Sequence, residues 1–399
     1  MSLPHNKRRP FPLKQDSTPI LTIGLISSYP LHVGGVETHL LSLLRYSDKT
    51  RFRFVLIGPI SPELAAQAEA LGAQVTQWHT KRVTHLTSLF RLRQIFRTYD
   101  IDAVHFHCPR AAFMARPLAR WMKLPVAVTV HLPPYYFTGK GLINTPWGLW
   151  LYKKLERLLN HRCTDKLIYA SFQVMEEARA MGLVSNSNTL FIGNGVDLGR
   201  HAKDDSRARL RKELSVAPEE QVICCVGRLD QQKGLDVLLE ALSWILPTKA
   251  TRLWLVGDGA LRDHLKEQAR RFELFNRVTF LGFRNDVPQL LRAADIFVLP
   301  SRFEAMPLSI IEAMAAGLPC IVSNTGENAL MIEEGVNGFV VPIEDVKALA
   351  DAMERLLDDP ERCRMMGRAS LEKASNYSDD ITVRRIQQIY ESIAPMKHL

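Results

Sequence analysis

The chain has 399 residues, of which 46% are hydrophobic, 23% charged and 8% aromatic, fractions that exclude a mainly disordered or fibrous protein. At roughly 150 residues per domain, this length suggests two domains. The net charge of +9 is unevenly spread: residues 1–200 hold 25 Lys/Arg against 12 Asp/Glu (+13), and residues 201–399 hold 26 against 30 (−4). A basic half of this kind suits an anionic partner: nucleic acid, a phospholipid surface or a phosphorylated substrate.

The opening stretch MSLPHNKRRPFPLKQDSTP is a basic tail (1–20) without an apolar core, so it does not read as a secretory signal. No run approaches the roughly 18 consecutive apolar residues of a membrane-spanning helix. In chain order, LTIGLISS (21–28) reads as a buried strand and VETHLLSLLRYS (36–47) as the helix after it. RFVLIG, a helix at SPELAAQAEALG, and AQVTQW follow. DAVHFH (102–107) and PVAVTVH (125–131) flank the helix RAAFMARPLARWMK, and KLIYAS and TLFIG finish a first domain over 21–200. The polar stretch NGVDLGRHAKDDS (194–206) reads as a linker.

The pattern then restarts over 201–377. Strands are expected at QVICCVGRL (221–229), RLWLVGDG (252–259), RVTFLGF (277–283), DIFVLP (295–300) and PCIVSN (319–324), separated by helical pattern. The tail SDDITVRRIQQIYESI is one amphipathic helix within 378–399, expected to pack back on the first domain. Strands alternating with helices imply two α/β, doubly wound Rossmann-like domains, with ligand loops at the C-terminal strand ends facing a central cleft. The six cysteines (Cys108, Cys163, Cys224, Cys225, Cys320, Cys363) form no CxxC pair or zinc-like grouping, which fits a reduced, cytoplasmic setting.

Two segments carry chemistry. In GRLDQQKGLDVLLEAL (227–242), Arg228 ends a strand and Lys233 precedes a helix, two cations that could clamp a diphosphate without a metal. In VLPSRFEAMPLSIIEAMAAGLPCIVSN (298–324), Glu304 lies in the loop, Pro307 suits the first helical turn, and Glu312 falls just over one turn further on. The free N–H groups around Ala305 to Leu308 could meet phosphate oxygens.

Taken together, GGVE (34–37), R-x4-K, and Glu-x7-Glu followed by AMAAGLPCIVS resemble the retaining, GT-B-fold glycosyltransferases of family 4. The resemblance runs from about residue 21 to 393 and includes NGVD, VGDG, LGF, ADIFVLPS and GVNGFVV. It implies that Gly34 and Gly35 let backbone approach the donor, and that Arg228 and Lys233 bind the diphosphate. It further implies that Glu304 holds donor-sugar hydroxyls, that Glu312 holds the ribose, and that amides at Ala305, Met306 and Leu308, beside Pro307, frame sugar and phosphate. His131 resembles the family's active-site histidine near the reacting centre. Two departures stand out: Ala305 replaces a frequent glycine, and Gly326 to Leu330 lack the second glycine and the acidic residue of the usual GG-x-x-E.

Absent motifs also discriminate. Asp100-Ile101-Asp102 precedes its strand, at the wrong end for a metal-holding Asp-x-Asp, and reads as a turn; no metal ligand is expected. There is no GxxxxGK[ST], no G-x-G-x-x-G after the first strand, and no helix-turn-helix or RNA-binding signature, so nucleic acid is not the expected partner. In the basic half, LTSLFRLRQIFRTY (86–99) carries Arg91, Arg93 and Arg97 beside Leu and Phe. The segment 135–162 mixes aromatics with Lys153, Lys154, Arg157 and Arg162, a composition suited to an anionic bilayer surface.

The expectation is therefore a metal-independent retaining glycosyltransferase with no cofactor. It would move a sugar from a nucleotide-diphosphate sugar, UDP-linked first and GDP-linked second, to a glycan or lipid-linked acceptor. It would be cytoplasmic and peripheral on the inner membrane face. An epimerase, a phosphorylase and a non-catalytic nucleotide-sugar-binding protein are the rivals.

Overall fold

A computed structural model describes residues 20–27, 35–80, 86–131, 145–184, 187–201, 206–245 and 250–394. The N-terminal tail, Gly34 and much of the aromatic stretch before residue 145 lie outside them. Among the described residues, the apolar runs assemble into two wholly parallel sheets. Near-continuous Ile/Leu/Val runs become strands here because a parallel sheet is covered on both faces.

The first sheet comprises β1 (Leu21–Ile26), β2 (Phe52–Gly58), β3 (Gln74–Gln77), β4 (Ala103–Phe106), β5 (Val126–Val130), β6 (Lys166–Tyr169) and β7 (Thr189–Phe191), in the order β3-β2-β1-β4-β5-β6-β7. Leu21 pairs with Phe52 on one side of β1, and Ile23 pairs with Ala103 on the other. The second comprises β8 (Gln221–Val226), β9 (Thr251–Val256), β10 (Val278–Gly282), β11 (Ile296–Leu299), β12 (Cys320–Ser323) and β13 (Gly338–Val341), in the order β10-β9-β8-β11-β12-β13. β13 has no counterpart among the strands expected from the sequence. Its four residues include a glycine, and that glycine is obligatory: a Cβ on Gly338 would lie 1.9 Å from the Cys320 carbonyl oxygen.

In each sheet the strand order reverses beside the domain's first strand, between β1 and β4 and between β8 and β11. Loops leaving the C-terminal ends of such a pair run to opposite sides, so a crevice opens between them. Asp100 and Asp102 sit at the other end of the sheet. Asp100 is a left-handed turn residue (φ 49°), and an Asp102 carboxylate oxygen accepts the Thr22 N–H at 2.9 Å.

Compactness divides the chain into one unit of Met1–Tyr169, Glu176–Ile192 and Val383–Leu399, and another of Ala170–Met175 and Gly193–Thr382. The stretch from Asn194 that reads as a linker is thus part of the second unit, where Val196 pairs with Ser378 in a β-bridge. In the C-terminal helix Asp379–Ile393, Val383, Ile386, Ile389 and Tyr390 pack with Ile23, Leu25, Phe52 and Phe54. Tyr390 Oη lies 2.7 Å from His105 Nδ1, while His105 Nε2 lies 2.7 Å from Thr129 Oγ1, so both nitrogens of a fully buried imidazole are satisfied.

A second buried polar knot fixes the helix Pro146–Arg162. Arg116, wholly buried in the helix Pro109–Trp121, donates to both Glu156 oxygens at 2.7 and 2.8 Å, to Asn160 Oδ1 at 2.6 Å and to Thr164 Oγ1 at 3.1 Å. Removing either member of such a buried pair costs roughly 3–5 kcal/mol, because the remaining charge is stranded.

Candidate functional site

In the second unit, the loops after β8 and β11 meet at the strand-order reversal. After Arg228 the chain turns through a short 3-10 segment, Gln231–Lys233, to Gly234, whose φ is 62°. A Cβ there would lie 2.2 Å from the Pro300 carbonyl oxygen, so only glycine lets the two loops close against each other. Lys233 Nζ then reaches Glu304 Oε1 at 2.5 Å. Ser301 Oγ donates to the same oxygen at 2.7 Å, and Gln232 Nε2 donates to Glu304 Oε2 at 3.3 Å and to the Phe303 carbonyl at 3.0 Å. Arg228 extends the chain: it donates to Gln232 Oε1 at 2.9 Å and pairs with Asp230 at 3.0 Å.

The two expected cations therefore differ. The Arg228 side chain is 65% exposed, whereas Lys233 is 11% exposed and already ion-paired. Glu304, expected to hold donor-sugar hydroxyls, is buried at 6% and accepts three bonds in this arrangement. Gln232 and Ser301 complete the network, and spacing alone gave no reason to select them.

Beyond Glu304, Ala305 and Met306 are buried, and Pro307 caps the helix Leu308–Ala315 at φ −73°. The Leu308 and Ser309 N–H groups have no acceptor within their own helix, as at any helix start. The Ala305 carbonyl accepts the Glu327 N–H at 2.8 Å, so across the same trans peptide the Met306 N–H points away from that segment. The Met306 carbonyl accepts from Asn194 Nδ2 at 2.8 Å. Glu312 is the fifth residue of the helix and half-buried. Burial pushes its carboxyl up to about 7, with Arg200 pulling it down and Asp379 pushing it further up. Glu327, where the sequence departs from the family pattern, is buried and accepts from Ser171 Oγ at 2.7 Å and the Gln173 N–H at 3.0 Å. It ties residues 170–175 into the second unit.

In the first unit, Gly35 opens the helix Gly35–Tyr46; Gly34 lies outside the described residues. Beside the β1/β4 reversal the fold gathers four histidines. His107 follows β4, His131 follows β5, His39 stands on the helix after β1, and His105 lies within β4 behind His107. Ring centroids are 5.1 Å apart for His39–His131, 5.5 Å for His39–His107, 5.9 Å for His107–His131 and 4.0 Å for His105–His107. Burial holds His39 down to about 4, His131 down to about 3, and His105 and His107 well below the usual imidazole range. All four are neutral at pH 7. Of these only His131 was selected from the sequence. The period-two pair in DAVHFH does put His105 and His107 on one face of β4, a signal the strand pattern contains.

Two family descriptions match the chain, one over most of the first unit and one within the second. Residues 33–200 match Glycosyltransferase Family 4, and residues 206–373 match Glycosyl transferases group 1. The chain is 31% identical over 308 residues to the UDP-Gal:alpha-D-GlcNAc-diphosphoundecaprenol alpha-1,3-galactosyltransferase of Escherichia coli, covering 76% of this chain and 78% of that one. The chain belongs to the family 4, group 1 glycosyltransferases. It is also 28% identical to the lipopolysaccharide core biosynthesis mannosyltransferase LpsB of Rhizobium meliloti, over 71% of this chain and 76% of that one. Anabaena HepE in complex with UDP and glucose superimposes with a TM-score of 0.81 at 23% identity, over 93% of this chain and all of that one. The fold of this glycosyltransferase is accordingly GT-B.

The raised Glu312 carboxyl has a consequence for stability. Its folded pKa lies above its unfolded one, so the native state holds the extra proton between about pH 4.5 and pH 7, and stability falls as pH rises through that window. Glu312→Gln should remove this loss. Melting profiles against pH should show the variant more stable above pH 7, by on the order of 1–3 kcal/mol, and level with the native chain near pH 4.5. Parallel profiles would show that Glu312 is not desolvated as described.

Proposed function

We propose that this glycosyltransferase moves a hexose from a UDP-sugar to a lipid-linked saccharide with retention at the anomeric carbon, using no metal at the diphosphate; a GDP-sugar is the second choice of donor. The observation that carries the reading is the Lys233–Glu304 pair at the β8/β11 reversal, where a sheet of this kind takes its ligand. The choice of UDP and of a lipid-linked acceptor is supported by the printed activity of the Escherichia coli relative.

An ammonium has three N–H donors, and Glu304 takes one, fixing Lys233 while leaving others for an incoming phosphate. Exposed Arg228 adds a planar fork, and the helix start at Leu308 adds backbone N–H groups and a positive dipole end. Together these neutralise the charge that grows on the diphosphate as it leaves, the task a divalent ion performs elsewhere. In the proposed front-face substitution, the acceptor oxygen bonds to the anomeric carbon on the face where the bond to the diphosphate breaks. The hydroxyl proton passes to a leaving phosphate oxygen. Glu312 takes the ribose hydroxyls, and His131 donates to the sugar.

Lys233→Ala should lower kcat by roughly a hundredfold or more on the oxyanion-stabilisation scale while the circular dichroism spectrum stays native. UDP affinity of the native chain should be unchanged by excess EDTA. Native kcat in the variant would remove Lys233 from the mechanism, and loss of UDP binding restored by Mg²⁺ or Mn²⁺ would contradict a metal-free diphosphate site.

The acceptor reading extends to an anionic membrane surface. The helix Pro146–Arg162, pinned by Arg116, exposes Trp147, Trp150, Leu155 and Leu158, and Lys154 sits 4.2 Å from the Trp150 ring. On the helix Leu86–Thr98, Phe90, Arg91 and Arg97 are exposed. Arg93, expected to face lipid with them, is instead half-buried and stacked 4.9 Å from the Trp121 ring, because the helix turns it inward beside Leu92. Sedimentation with phosphatidylglycerol-containing vesicles should weaken as salt rises, each basic residue at the surface adding about 1 kcal/mol. It should weaken further in Trp147→Ala/Trp150→Ala and in Arg91→Glu/Arg97→Glu. Equal sedimentation of all three proteins at low salt would clear these helices of the role.

A further inference from the structure

We propose that His39, His107 and His131 form a binding site for one borderline transition-metal ion of the Zn²⁺, Co²⁺ or Cu²⁺ type. The closest ligand nitrogens of the three rings all lie within 4.8 Å of one another. His39 Nε2, both nitrogens of His107 and Nε2 of His131 are buried without a hydrogen-bond partner among the described residues. Buried polar atoms are ordinarily satisfied, so three neighbouring rings that each carry such an atom indicate a missing partner. An ion bound at about 2.0–2.1 Å from each nitrogen would draw the rings together by roughly 1 Å or more, within the reach of side-chain torsions.

The surroundings suit that partner. Three elements supply the ligands: the ends of two adjacent strands, β4 and β5, and the helix that follows β1. His105 stands behind His107, held by Tyr390 Oη and Thr129 Oγ1, and gives the cluster a stiff wall. Neutral imidazoles are ligands for ions such as zinc and copper, whereas Mg²⁺ and Ca²⁺ prefer oxygen. Three ligands leave a fourth position open. His131 can ligate through one ring nitrogen and still donate through the other, so the proposal is compatible with a sugar contact there. All three ligands belong to the first unit, whereas the residues proposed to hold the diphosphate belong to the second.

The test is metal binding by the full chain, first stripped with a chelator. Titration with Co²⁺ should raise visible d–d bands that saturate at one ion per chain, and Zn²⁺ should abolish them while Mg²⁺ should not. His39→Ala and His107→Ala should each weaken Co²⁺ binding at least about a hundredfold, the upper end of what losing a mere outer-shell partner costs. Because a variant could fail to fold, electron paramagnetic resonance of the Cu²⁺-loaded native chain provides an independent reading. Coupling to three nitrogens is the expected spectrum. Absence of a saturating one-to-one Co²⁺ signal, unaltered affinity in a folded variant, or a Cu²⁺ spectrum without three nitrogens would each overturn the proposal. In that event the unpaired nitrogens would belong to ligand hydroxyls.

Discussion

The Lys233–Glu304 pair is the contact on which the second unit's site depends. Lys233, from the loop after β8, meets Glu304, from the loop after β11, at 2.5 Å, and Ser301 and Gln232 hold the carboxylate in place. The contact exists only because Gly234 lets the backbone pass against Pro300. A nearly buried ammonium without Glu304 would carry a desolvation penalty of several kcal/mol, and the buried Glu304 carboxylate without Lys233 would carry a penalty of the same kind. The pair thus keeps a positive charge at a place where a ligand can use it. On the proposed reading, the leaving diphosphate is the group that uses it.

Both sheets follow one rule of construction. Each reverses its strand order beside the first strand, and each collects unusual polar side chains at that point: a Lys/Glu/Ser/Gln/Arg network beside β8 and β11, and four histidines beside β1 and β4. The chemistry of the two collections differs. One is charged, and exposed through Arg228; the other is neutral, with three of its four histidines buried and His131 half-buried. Their separate locations explain how a charge clamp and a histidine cluster can be built on one architecture by changing only what the strand-end loops carry.

Much of this was legible in the sequence, for identifiable reasons. Doubly buried strands write themselves as apolar runs, so β1, β8 and β11 could be placed to within a few residues. β13 escaped because it is only four residues long and opens on Gly338, whose need for a glycine is visible only against Cys320. Among the candidate site residues, the spacing from Arg228 to Lys233 and from Glu304 to Glu312 pointed to two loops that the fold brings into contact. It could not tell that Glu304 turns back to hold Lys233, because that depends on a contact across 71 residues. His39 and His107 were illegible as a set, since only the β1-β4-β5 order gathers residues so far apart in sequence. The inward turn of Arg93 likewise depends on Trp121, a neighbour from another helix.

The measurement that addresses the central claim most directly is amide hydrogen exchange of the full chain with and without saturating UDP. If the diphosphate binds where the β8 and β11 loops meet, exchange should slow at residues 228–235 and 305–310, with EDTA present or absent. The first unit's strand cores should change little. Unchanged exchange in both segments under saturating UDP, or protection confined to residues elsewhere, would contradict the account.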